Sequence, residues 1–368
     1  MESDLPGISR ISAIGRYLAN VPYVLFGLGL LLLVLLHTGL RWPWTPDAEF
    51  LAVAQNWPAG SGWDSSIGWI GPARLGITGG SSWALLWISL IAASLTITFI
   101  CARRTMGDPY ARIFLLAVAA SSIPFRLTGW IGFYDGLFLS GALLAVVLKG
   151  RLWWGGAIMI ATANPEMGVI AGLSALLTGV GLQSSLVVRR GTGVLGMSAL
   201  LLVFVSVTRL AANTPASESR LALLHRNLDE SFTLNIGWWP LTIATMFAGG
   251  WIIVFTMIMT PALAMRRWLV LIGLVVFPLI FTLFTLDGSR VAVVSSSLAF
   301  VLAVREWLHR VRTSSVAQNP PAVLFPLMVL LSILALLTPA VSVLPYSPTA
   351  DFYPPWDVLA QLREALAL

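Results

Sequence analysis

From Pro22 to Leu40 the chain runs without a single Asp, Glu, Lys or Arg, and the run ends only at Arg41. That length suits a helix crossing about 30 Å of hydrocarbon, which takes about 20 apolar residues. The pattern recurs at about 83–102, 111–125, 133–149, 152–164, 167–188, 193–212, 239–263, 268–286, 291–304 and 322–345. Inside a bilayer each backbone polar group must be satisfied internally, so long apolar runs become helices; transmembrane strands would read as alternating segments of about ten residues. The expectation is an all-α integral membrane protein with about 11 transmembrane helices. Composition agrees, because 10% of the residues are charged against roughly 25% in soluble domains. The first run exceeds the h-region of about 7–15 residues in a signal peptide and no A-x-A-like site follows it, so it reads as a retained span.

Charge orients the spans. With the N-terminus cytoplasmic and the C-terminus external, the inner connections hold Arg10, Arg16, Arg103, Arg104, Arg112, Lys149, Arg151, Arg189, Arg190, Arg266, Arg267, Arg305, Arg310 and Arg312, which are 14 of the 22 Lys and Arg residues. The outer ones hold 12 of the 16 acidic residues: Asp47, Glu49, Asp64, Asp135, Glu166, Glu218, Asp229, Glu230, Asp287, Asp351, Asp357 and Glu364. The positive-inside rule counts the basic residues, and they select this orientation. The basic balance therefore reflects topology rather than nucleic-acid binding. One cysteine, Cys101, excludes an internal disulfide and any cysteine-based metal cluster.

No internal repeat or separate soluble segment interrupts the pattern, so residues 1–368 read as a single polytopic membrane domain. Its longer connections are a first external loop at 41–82, an external loop at 213–238 and an external C-terminal tail at 346–368. The first loop carries Trp42, Trp44, Trp57, Trp63 and Trp69, most of which suit an aromatic belt at the headgroup level. The spans at 111–125, 152–164 and 291–304 are short for a square crossing, as around a cavity open to one side.

The first loop begins Arg41-Trp-Pro-Trp-Thr-Pro-Asp47-Ala-Glu49-Phe-Leu-Ala-Val-Ala-Gln-Asn-Trp57. Thr45 can cap a helix and Pro46 suits its first position. Phe50, Val53, Ala54 and Trp57 then recur at helical spacing, as in an amphipathic helix lying along an interface. Asp47 and Glu49 have two readings: complements to that helix's dipole, or carboxylates held at the membrane edge for chemistry.

Other polar residues stand at span ends, where charge is expensive. Asp135 opens the fourth span. Glu166 follows Asn164-Pro165 in an almost absent turn. Asp287 and Arg290 share another tight outer turn, and Arg126 also sits at an outer end. Local readings exist: Asp287 pairs with Arg290, Asp135 caps its helix and Glu166 sits at a helix start. Together they form an outer ring of carboxylates and arginines of the kind that holds a phosphate and a sugar. No G-x-x-x-x-G-K-[ST], G-x-S-x-G or H-E-x-x-H occurs. His37, His225 and His309 fall in a span end, an outer loop and an inner loop, so they cannot share a metal; His225 reads first as a solvated loop residue and second as part of the site.

The segment Trp44-Thr-Pro-Asp47-Ala-Glu49-Phe-Leu-Ala-Val-Ala resembles the first external loop of the GT-C superfamily of polytopic glycosyltransferases, often written D-E-x-x-Y-x-x-x-A. Here Ala48 separates the two acids and Phe50 stands near the usual tyrosine, so either carboxylate can be the counterpart; residues two apart point to nearly opposite faces of a helix. Gly132-Phe-Tyr-Asp135-Gly-Leu, Leu152-Trp-Trp-Gly-Gly-Ala and Ala163-Asn-Pro-Glu166 are similar to the family's fourth-to-sixth span region. The resemblance covers about 40–190, and the remainder only by topology.

The resemblance implies an inverting glycosyltransferase in the cytoplasmic (inner) membrane, its active site facing outside and serving cell-envelope glycan biosynthesis. The donor would be a polyprenyl-phosphate sugar, and the acceptor a glycolipid, polysaccharide or protein. A carboxylate must take the acceptor's proton, for which Asp47 comes first and Glu49 second. Cations must stabilise the departing phosphate, for which Arg290, Arg126 and Arg226 stand in line. Asp135, Glu166 and Asp287 would orient the sugar. The carboxylates are numerous enough for a divalent metal, and nothing requires one. The alternative is a transporter or flippase of a lipid-linked or anionic solute, which should show paired repeats with broken helices at the midplane.

Overall fold

The computed structural model describes residues 20–38, 54–58, 67–78, 80–129, 134–212, 220–259, 266–285, 288–313 and 320–338. Asp47, Glu49, Asp287 and the 346–368 tail lie outside them, as do the side chains of His225 and Arg226. The described residues form helices and no strands: α1 (Tyr23–Thr38), α2 (Ile67–Arg74), α3 (Gly80–Met106), α4 (Tyr110–Ala119), α5 (Ile123–Gly129), α6 (Tyr134–Val147), α7 (Trp153–Ala163), α8 (Pro165–Leu182), α9 (Ser185–Ala211), α10 (Arg220–Phe247), α11 (Trp251–Ile258), α12 (Arg267–Thr282), α13 (Gly288–Thr313) and α14 (Pro320–Leu337). Five stretches are long and apolar enough to cross a membrane: Ser81–Met106, Pro165–Leu182, Ser185–Ala211, Asn235–Ile258 and Gly288–Thr313. The chain is thus an all-helical protein compatible with a multi-pass membrane location.

Helix α13 is the axis of the bundle. It packs against α4, α5, α6, α8, α9, α10, α11 and α12, and nearly every residue from Gly288 to Val304 is buried. Its serines pass through apolar surroundings by bonding back to their own helix: Ser296 Oγ donates to Ala292 O at 2.7 Å and Ser297 Oγ to Val294 O at 2.7 Å. The short span expected at 291–304 is the middle of this 26-residue helix. The flanking charges Arg290 and Arg305 that bounded the apolar run stay helical because other parts of the chain satisfy them.

Helix α9 lies at the periphery, with Leu200, Val203, Phe204 and Val207 exposed on one side. Its other side meets α8 closely: a methyl group on Gly172 would stand 2.6 Å from the backbone N of Leu195. Small residues let helices approach where lipid supplies no hydrophobic drive. The turn into α8 is a single residue, Asn164, whose side chain accepts from Met167 N at 3.0 Å, with Pro165 at the first helical position.

Three further spans differ from the sequence expectation. The 111–125 run breaks at Ala120–Ser122 into α4 and α5, and the 239–263 run breaks at a 3-10 turn, Ala248–Gly250, between α10 and α11. The breaks face each other. Gly249 N donates to Ala120 O at 3.0 Å, and the Ser122 hydroxyl donates to Thr245 O. Each break so satisfies backbone groups that the other frees. In α12 a π turn occupies Ile272–Val276, and Gly273 O accepts from the Ser174 hydroxyl of α8. The connection expected at 213–238 is helical from Arg220 onward, as the start of α10.

Basic residues gather at one end, where they cap helix carbonyls. Arg312 Nη1 donates to Met106 O at the close of α3 at 3.0 Å, Arg310 donates to Leu182 O at the close of α8, and Arg190 and Arg305 both donate to the last turn of α6. Arg112 Nη2 reaches Val21 O, just before α1, at 2.6 Å. A cation at a helix C-terminus meets both orphan carbonyls and the negative end of the dipole.

Candidate functional site

The opposite end of α6 and α13 holds the charges singled out in the sequence. Tyr134 and Asp135 open α6, and Gly288, Ser289 and Arg290 open α13. Asp135 is 2% exposed. Its carboxylate accepts from Arg290 Nε at 2.5 Å (Oδ2) and from Nη2 at 3.2 Å (Oδ1). This two-pronged pairing matches the planar guanidinium fork. Asp135 also stands in the first turn of α6, where a negative charge complements the dipole. The Arg290 Cζ lies 4.9 Å from the centre of the Tyr134 ring, so the guanidinium is held by a carboxylate and an aromatic face together.

A second guanidinium reaches the same turn. Arg126, buried in α5, donates through Nη2 to Ser289 Oγ at 2.7 Å. Ser289 and Arg290 are consecutive, so two arginines flank the first turn of α13. Asn235 of α10 closes the other side, with Nδ2 donating to Thr282 O at 2.8 Å and Thr285 O at 2.7 Å at the end of α12. Position 288 must be glycine, because a methyl group there would stand 1.8 Å from Asn235 Oδ1. Trp239 Nε1 adds a bond to Thr282 Oγ1 at 3.0 Å.

Aromatic rings back this cluster. Trp69 of α2 lies 5.7 Å from Tyr134 and 6.2 Å from Trp83, which lies 5.9 Å from Trp87. All three tryptophans are buried, so Trp69 is a packing residue of the bundle end rather than a member of an exposed belt. The helix carrying it is tied to the preceding segment: Gln55 Nε2 donates to Ala73 O at 3.3 Å, and the Arg74 guanidinium to Trp57 O. Ala54 and Gln55 are helical, and the Asp47 and Glu49 motif lies outside the described residues.

The sequence-predicted residues thus divide. Asp135, Arg290 and Arg126 converge on the first turns of α6 and α13. Glu166 sits half-buried in the first turn of α8, at the same end. His225 and Arg226 fall on the first turns of α10, and Asp287 immediately precedes α13 outside the described residues. Ser289, Tyr134, Asn235 and Trp69 were not singled out for this role. Tyr134 and Ser289 adjoin Asp135 and Arg290 in sequence, a signal that could have found them; Asn235 and Trp69 had none. Among the described residues no group of three or more His, Cys, Asp or Glu could hold a metal ion.

Chemically, the arrangement places two guanidiniums beside the first turn of a helix, a constellation suited to an anion such as phosphate. No family model matches the chain, and neither a curated protein nor a solved structure matches it.

Proposed function

We propose that this chain is a glycosyltransferase that moves a sugar, with inversion, from a polyprenyl-phosphate donor to a glycolipid, polysaccharide or protein on the outer face of the cytoplasmic membrane. The observation that carries the reading is the gathering of Arg290 and Arg126 around the first turn of α13, with Arg290 braced by the buried Asp135. Such a site fits the phosphate of a lipid-linked sugar. In the reaction an acceptor hydroxyl oxygen attacks the anomeric carbon. The bond from that carbon to the phosphate oxygen breaks, and its electron pair leaves with the polyprenyl phosphate. Asp47, with Glu49 as second choice, takes the hydroxyl proton. The guanidiniums stabilise charge building on the phosphate. In this reading Asp135 positions Arg290, and Glu166 and Asp287 are left to orient the sugar.

The facing breaks at Ala120–Ser122 and Ala248–Gly250 favour a second reading, a transporter or flippase of an anionic solute, since such proteins bind substrate at discontinuous helices. Both breaks are buried and bonded to each other, which leaves their polar groups engaged within the protein. One experiment separates the readings. The purified chain is incubated with polyprenyl-phosphate sugars and acceptor lipids, and free polyprenyl phosphate is measured. Release that needs both donor and acceptor supports the transferase; passage of the intact donor across a vesicle bilayer without release supports the transporter.

A further inference from the structure

Among the described residues, the basic end of α6 carries more positive charge than the carboxylates there pair with. Arg190 of α9 is 2% exposed. It donates through Nη1 to Ala145 O and, at 2.5 Å, to Val146 O, and through Nη2 to Leu148 O at 2.8 Å. Arg305 of α13 donates through Nη1 to the same Val146 O. Two guanidiniums therefore converge on one carbonyl oxygen. Arg190 also feels the like charge of Arg189, and Lys149 and Arg151 follow in the adjoining turn. Among the described residues none of these five cations pairs with a carboxylate. Glu306, next to Arg305, is engaged by Arg310 Nε at 2.9 Å and by Ser184 Oγ at 2.9 Å. Arg190 Nε is buried without a hydrogen-bond partner. The carbonyl end of a helix supplies the equivalent of only about half a charge. A buried guanidinium such as that of Arg190, unpaired with a carboxylate among the described residues, is costly, and an anion held at this corner would offset that cost.

Apolar surface at the same corner says which anion. Leu152 is 70% exposed and Trp154 39% exposed on the turn that carries Lys149 and Arg151. The Trp153 and Trp154 rings stack at 4.3 Å, and Trp153 lies 5.9 Å from the Arg190 guanidinium. Trp153 packs where a methyl on Gly193 would stand, 2.3 Å from its ring. A free anion needs only the cations. A phospholipid needs cations beside an apolar wall, and this turn presents both. We propose that the Leu148–Trp154 turn, the first turns of α9 and Arg305 bind an anionic phospholipid, its phosphate on Lys149, Arg151 and Arg189 with Arg190 and Arg305 behind them, its acyl chains along Leu152 and Trp154. This site is independent of the transferase reading.

The test is native mass spectrometry of the full chain in detergent, titrated with phosphatidylglycerol, with phosphatidylcholine of the same acyl chains, and with phosphatidylglycerol in the presence of inorganic phosphate. Phosphatidylglycerol should bind far more tightly than phosphatidylcholine, and inorganic phosphate should not displace it. The triple variant Lys149→Gln, Arg151→Gln, Arg189→Gln changes only exposed side chains. It should lose about a hundredfold in phosphatidylglycerol affinity, at about fivefold per cation. Should the triple variant misfold, Arg189→Gln alone should lose about fivefold. Equal binding of the two lipids, or unchanged affinity in the folded variants, overturns the proposal. Complete displacement by inorganic phosphate overturns the lipid assignment.

Discussion

Replacing Asp135 by asparagine keeps the side chain's shape and removes its charge, which isolates the ion pair with Arg290. Asp135 is buried, while the Arg290 side chain retains 14% of its exposure. Breaking a buried pair by removing one partner costs about 3–5 kcal/mol, and the partial exposure of Arg290 places this case near about 3. Losing a negative charge from the first turn of α6 adds about 0.3–1 kcal/mol. The double variant Asp135→Leu, Arg290→Met removes both charges and should lie within about 1 kcal/mol of wild type, because an apolar pair replaces an ion pair at little net cost. The gap between the two variants, about 2–3 kcal/mol, is the cost of leaving Arg290 without its partner. Reversible unfolding in mixed micelles titrated with dodecyl sulfate measures each term. Arg290→Lys keeps the charge but not the fork, so it should retain most of the stability while donor use falls strongly. If Asp135→Asn unfolds within about 1 kcal/mol of wild type, the pair does not brace the site and the reasoning fails.

Asp47→Asn should leave expression and donor binding near wild type while turnover falls at least about a hundredfold, with Glu49→Gln milder; normal turnover in both variants removes the assigned base. Gly156→Ala places a methyl 2.3 Å from Ala145 N in the α6–α7 contact and should cost about 3 kcal/mol or more by thermal unfolding. Gly155→Ala, one residue earlier with open space around it, should instead gain about 0.5–1 kcal/mol, and equal effects at the two positions would refute the packing described. In a Cys101→Ser background, cysteine at Ser65 should react with an impermeant thiol reagent in intact cells and cysteine at Arg104 should not; the reverse labelling inverts the proposed orientation.

The helices were legible in the sequence because burial in lipid demands apolar runs, and such runs are contiguous. Their ends were less so. Gly288–Thr313 extends past both arginines that bounded its apolar stretch, because Asp135 and the α6 carbonyls satisfy those arginines from elsewhere. The breaks at Ala120–Ser122 and Ala248–Gly250 carry no charge to bound an apolar run; Ser121-Ser122 with Pro124, and Gly249-Gly250, are the signals that mark them, and their mutual hydrogen bonds satisfy the freed backbone groups. The sequence singled out Asp135, Arg126 and Arg290 by charge at membrane depth. It suggested Asp287, which lies outside the described residues, as a local partner for Arg290; the structure pairs Arg290 with Asp135, 155 residues away. Such a partner is invisible to sequence adjacency, because the bundle returns distant helix ends to one face.

The positions of these charges also bear on how the proposed site would work. Helices α6 and α13 are joined at both ends, by Asp135 and Arg290 at one and by Arg305 on Val146 O at the other. Two ties on the same helix pair restrain sliding as well as separation, so the first turn of α13 is held in place before any ligand arrives. Anion binding there needs little reorganisation, which is what stabilising a developing phosphate charge requires. The proposed base comes from a different part of the chain. Its segment connects to this frame through Gln55 on Ala73 O, Arg74 on Trp57 O, and the contact of Trp69 with Tyr134. Tyr134 in turn lies against the Arg290 guanidinium. Trp69 thus links α2, through the Tyr134 ring, to the arginine proposed to bind the phosphate.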